Sequence, residues 1–148
     1  MVRREAQRCL ANALFLKPLT RSIFAEVGGC DIFVMLFKGN VDKREAEDDF
    51  LLGRIGFLLT ADKGEVVEQF VKEDHVLEDV SKVCEFSVRM ITVQVLTRYV
   101  ELSAKRPLVG IHSSALAEIL KFMFNLTFHV KVADNTESPY CPISALLT

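Results

Sequence analysis

Apolar side chains recur at helical spacing along nearly the whole chain. Between Arg3 and Lys17 they fall at Ala6, Leu10, Ala13, Leu14 and Phe15, with Cys9 and Leu16 beside them. That is the i, i+3, i+4 pattern of one helix face. Pro18 ends this helix, because proline pushes the preceding residue out of the α region. Thr20 can cap a short second helix over 21–27, and Gly28 and Gly29 end it, since glycine accepts the left-handed conformation without steric cost. Asp31 opens a third helix over 31–38, closed by Gly39 and Asn40.

The charged stretch 40–48 predicts a solvated linker, with a helix start near Asp48 and Asp49. An apolar helix then covers 48–61. Lys63 and Gly64 make a corner, 65–74 is amphipathic, and 75–86 continues in helical period. Residues 87–102 carry two signals. Their β-branched residues favour a strand, while their length and the pairs Ile91/Val95 and Val95/Tyr99 favour a helix. No second strand-like segment exists to pair with them, so the helix is preferred. Pro107 and Gly110 break the chain. Ser113 or Ser114 caps the last clear helix, 115–128, and an irregular tail covers 133–148.

Two asparagines stand oddly in this pattern. Asn12 and Asn125 each sit inside an apolar helix, four residues after a cation, Arg8 or Lys121. Asparagine is a poor helix former, and burying its amide without partners is costly. Aligning "RCLANALF", "RIGFLLTA" and "KFMFNLTF" on Arg8, Arg54 and Lys121 gives offsets of 46 and 67 residues. The first lies within the period of about 40–47 residues of armadillo and HEAT repeats. The second is that period plus an insertion. The chain therefore reads as all-α, an armadillo/HEAT-like α-solenoid of stacked helical units. It forms a single armadillo-like domain over 1–148, and both ends read as cut through structure, as in a fragment of a longer solenoid. Arg8, Asn12, Arg54, Lys121 and Asn125 are then candidate residues of the concave groove. A second reading is open for the asparagines: each can bond the backbone of a neighbouring unit and fix the stacking register.

Composition narrows the function classes. Half of the 148 residues are apolar and 26% are charged, which suits a chain with a buried core. Charges interrupt every apolar run before it reaches a membrane span, and no secretory signal precedes the first helix. A net charge of −2 argues against a broad nucleic-acid surface. Cys9, Cys30, Cys84 and Cys141 are far apart and form no C-x-x-C pair, so they read as reduced thiols rather than metal ligands. Cys84, His75, His112 and His129 are the candidates for enzymatic chemistry, and none sits in a nucleophile or metal motif. No phosphate-cradling glycine loop is present, and no cofactor is expected.

Three blocks carry a family resemblance: "EAQRCLANALFLKPLTRSIFAEVGG", "DDFLLGRIGFLLTA" and "ALAEILKFMFNLTF". In content and order they resemble the synembryn family, armadillo-type proteins that act on heterotrimeric G-protein α subunits. Residues 62–111 resemble it only loosely, and the family's C-terminal G-protein-contacting elements lie beyond this chain. The resemblance implies a cytoplasmic protein, recruited to the cell cortex or plasma membrane through the G protein. It implies a chaperone and guanine-nucleotide exchange factor that holds the C-terminal helix of the α subunit in its groove and stabilises the nucleotide-free state. No covalent bond is made, because the effect is linkage between partner and nucleotide. The alternatives are an armadillo-type adaptor for a linear peptide and a shortened chain that binds nothing productively.

Overall fold

The structure is a computed structural model that describes residues 2–61, 66 and 88–128. Six α-helices make up the described residues: α1 (Val2–Leu16), α2 (Pro18–Glu26), α3 (Gly29–Lys38), α4 (Ala46–Thr60), α5 (Val88–Lys105) and α6 (Ile111–Phe128), with a 3-10 turn at Val41–Lys43. No strand occurs among them. The corner at Lys63 and Gly64, the helices expected over 65–86, the tail 133–148, and Cys84, Cys141, His75 and His129 lie outside the described residues. Of that stretch only Val66 is seen, helical and buried.

Residues 88–102 are helical, and burial explains why. Val88, Ile91, Thr92, Val95 and Tyr99 are buried on one face, at spacings of three and four that only a helix aligns. Tertiary packing overrides the β preference of valine, isoleucine and threonine. Thr92 also bonds its hydroxyl back to the Val88 carbonyl, 2.7 Å away.

Three starts differ from the sequence expectation. Helix α2 begins at Pro18 rather than after Thr20. Proline suits the first helical position, where its missing N–H would have had no partner. Gly29 opens α3 instead of ending α2. Gly28 alone takes the left-handed turn, at φ 79°. A Cβ on Gly29 would lie 2.5 Å from Phe24, so the corner needs a bare backbone there. Helix α6 begins at Ile111 after left-handed Gly110 (φ 59°). Ser114 does not cap it and turns its hydroxyl back to the Gly110 carbonyl.

The core lies where α3, α5 and α6 meet α4. Phe33, Phe37 and Phe122 form an aromatic cluster, with Phe33–Phe37 stacked at 5.5 Å and both rings edge-on to Phe122 at 5.7 and 5.4 Å. Burial of one such ring stabilises by about 1.5–3 kcal/mol. Among the described helices, α4 and α6 make the most extensive contact, because α4 presents two glycines to α6. A Cβ on Gly53 would meet Ile119 at 3.0 Å, and one on Gly56 would meet the Phe122 ring at 2.8 Å. The order of these contacts, 53 with 119 and 56 with 122, makes the two helices parallel. Helix α1 runs parallel to α4 on its other side: Arg4 meets Asp48 and Phe15 meets Arg54.

Candidate functional site

The three parallel helices α1, α4 and α6 share an outer face built from a repeated four-residue pattern. It reads Asn12-Ala-Leu-Phe15, Arg54-Ile-Gly-Phe57 and Lys121-Phe-Met-Phe124. A polar residue and a phenylalanine three positions later lie on one helix face. The helices are offset so that Phe15 and Phe57 each reach the next helix's cation. The Arg54 guanidinium lies 5.2 Å from the Phe15 ring, and the Lys121 ammonium 5.7 Å from the Phe57 ring. Phe15 is 54% exposed and Phe124 61%. The result is a strip of alternating aromatic and cationic groups across all three helices. Such pairs contribute about 0.5–1 kcal/mol each at exposed sites.

The candidate groove residues divide within this geometry. Arg54, half-buried, makes no ion pair among the described residues, and its Nε has no acceptor. Lys121 is tied to Glu118 on its own helix at 2.9 Å. Arg8 is held by Glu5 and by Glu47 of α4, so its guanidinium stands beside the start of α4. The α1 residue that meets Arg54 is Phe15. What sets the register is charge, with Arg4 bonded to both oxygens of Asp48 at 3.0 Å.

The two asparagines have different surroundings. Asn12 is exposed. Asn125 is 7% exposed, and its amide donates to the Phe57 carbonyl at 3.2 Å and to the Thr60 hydroxyl at 3.1 Å. Thr60 in turn donates to the Gly56 carbonyl at 2.8 Å. Asn125 therefore bridges the α4–α6 seam, the arrangement of the register reading. Phe15, Phe57 and Phe124 escape a sequence reading that takes phenylalanine as core. The recurring polar-x-x-Phe pattern is the signal that finds them.

Beneath the strip, the start of α4 carries the charges that hold the helices. Asp48 accepts from Arg4 and from the Glu45 N–H, and the Arg4 bonds above all hold its carboxyl below the usual aspartate range. Asp49, fully buried, accepts from Arg44 at 3.0 Å, from Tyr99 at 2.9 Å and from Arg98. Burial raises its carboxyl against the pull of these partners. Burial also raises the Tyr99 hydroxyl, with the Asp49 charge acting in the same sense. Among the described residues no group of His, Cys, Asp or Glu could hold a metal ion, and no helix is long and apolar enough to cross a membrane.

The sequence profile of the Ric8 family, described as guanine nucleotide exchange factor synembryn, matches residues 1–147. The chain belongs to the synembryn family. The match runs through 62–111 as well, where the three blocks gave only a loose likeness. No curated protein and no solved structure matches the chain. Membership in the synembryn family implies a role in nucleotide exchange on G-protein α subunits, a change of binding equilibrium rather than covalent chemistry.

Proposed function

We propose that this chain binds heterotrimeric G-protein α subunits as a chaperone and guanine-nucleotide exchange factor, in the cytoplasm and at the cell cortex. It grips the C-terminal helix of the α subunit on the face of α1, α4 and α6 and stabilises the nucleotide-free state. The family match supports the partner. The side-by-side parallel packing of α1, α4 and α6 supports an armadillo-like solenoid, whose equivalent helices line one face.

The observation that carries the binding mode is the state of Arg54. Its guanidinium lies against Phe15 with no carboxylate partner among the described residues. A helix C-terminus presents free carbonyls and a terminal carboxylate, the acceptors to which an unpaired guanidinium donates. Phe15, Phe57 and Phe124 take the apolar side chains of that helix. Asn12 offers an exposed amide on α1, Arg8 and Lys121 flank the strip with their charges set against Glu5, Glu47 and Glu118, and Asn125 holds the seam on which Lys121 is presented. One charge-assisted bond is worth about 1.5–3 kcal/mol where water is excluded.

The test is a calorimetric titration of the chain with a peptide that reproduces the C-terminal helix of the α subunit, its carboxylate free or amidated. Amidation is expected to weaken binding by about tenfold. Equal affinity for the two peptides points to an adaptor for internal linear peptides and contradicts this reading.

A further inference from the structure

Away from the aromatic strip, a cavity of about 860 Å³ opens between the start of α4, the C-terminal half of α5 and the start of α6. Its volume is that of a small-ligand pocket. Tyr99, Leu102 and Ile111 give it apolar walls, while Arg44, Arg98, Lys105, Arg106 and His112 line it with basic groups.

The basic groups are only partly neutralised. Arg44 and Arg98 share a single carboxylate, Asp49. Glu45 and Glu47 also line the cavity and are bonded to Arg4, which they share with Asp48, and Glu47 is bonded to Arg8 as well. Glu101 is the remaining lining acid set against Lys105 and Arg106. Counted over the lining, four full cations face three carboxylates.

Two further features point the same way. The 18-residue α6 starts in the cavity with Ile111 and His112. No acidic residue stands in its first turn, and Gly110 before it has no side chain to cap it. Its first N–H groups and the positive end of its dipole are therefore open to an anion. The second feature is Arg44, whose side chain is 3% exposed. Its Nε is bonded to Asp49 and its Nη1 to the Phe37 carbonyl, with the Phe37 ring 5.1 Å away, and its Nη2 has no acceptor. A buried guanidinium N–H left without a partner is costly, and a rotation of Arg44 toward an oxyanion in the cavity it lines would remove that cost.

We infer that this cavity is an oxyanion-binding site for a group that carries a phosphate or carboxylate on an apolar body. Arg44, Arg98, Lys105, Arg106 and the α6 N-terminus take the charge, and Tyr99, Leu102 and Ile111 take the body. The site lies at the start of α4 and α6, apart from the aromatic strip, and meets the candidate groove residues through the Glu47–Arg8 pair.

The experiment is an amide-resolved NMR titration of the 148-residue chain, at constant ionic strength, with inorganic phosphate and separately with acetate. Saturable shifts centred on Ile111, His112 and Arg44 are expected, weakened about tenfold in the double variant K105Q/R106Q. Both side chains are exposed, so that variant retains the fold, which its own spectrum checks. Saturation by phosphate alone assigns a phosphate ligand, and saturation by acetate extends the site to carboxylates. Absence of saturation with either ion, or saturation unchanged in the double variant, overturns the inference.

Discussion

The Phe122 ring occupies the space that a Cβ on Gly56 would need: the two would lie 2.8 Å apart. Phe122 is fully buried and locked edge-on against Phe33 and Phe37, so it cannot yield. This contact sets how closely α4 and α6 approach, and hence the level at which Lys121 meets Phe57. Gly56→Ala would gain about 1 kcal/mol of helix propensity but incur about 1–3 kcal/mol of overpacking. The expected outcome is net destabilisation, read as a lower urea midpoint with an unchanged slope.

Asn125→Ala removes both bonds that bridge the same seam. It should destabilise by about 1–2 kcal/mol. Asn12→Ala, at an exposed position, should leave stability within about 0.5 kcal/mol of the parent. Thermal unfolding of the two variants side by side checks the contrast. Equal losses would mean that Asn12 also has a structural partner.

Asp49 is the shared acceptor of Arg44, Arg98 and Tyr99. Asp49→Asn leaves two guanidiniums facing a neutral amide, and breaking such a buried pair costs about 3–5 kcal/mol. Chemical denaturation should show a loss of this order. An effect below about 1 kcal/mol would show that the network contributes little net stability.

Asp48 supplies a pH signature. Arg4 holds its carboxyl below the ordinary value, so the folded chain binds this proton less readily than the unfolded chain. Its contribution to stability is fully present above the unfolded value, about 3.9, and is lost as pH falls through the depressed folded value. The stability difference between the parent and Asp48→Asn should therefore be constant near neutral pH and shrink below about pH 4. A difference that widened on acidification would contradict this assignment.

The helices were legible in the sequence because their apolar periodicity is strong, even over 88–102, where β-branched residues pull the other way. Their starts were less so. Pro18, Gly29 and Gly110 each act through backbone geometry, and a reading that looks for Ser, Thr or Asp caps passes over them. The register was harder still. The pairs Arg4–Asp48 and Arg8–Glu47 tie α1 to the start of α4, and long-range charge pairing leaves no periodic trace. The positions of the candidate cations and of Asn12 were visible, but the burial of Asn125 and the roles of Phe15 and Phe57 needed the packing of three helices.

The central claim is that Arg54 receives the carboxylate at the end of the helix that closes the α subunit. The direct measurement is a double-mutant cycle by titration calorimetry, pairing the parent chain and Arg54→Gln with the free-acid and amidated peptides. Arg54→Gln should weaken the free acid by about tenfold and the amidated peptide by less than about twofold, a coupling of about 1 kcal/mol. Equal losses with both peptides, or no loss with the free acid, would contradict the account.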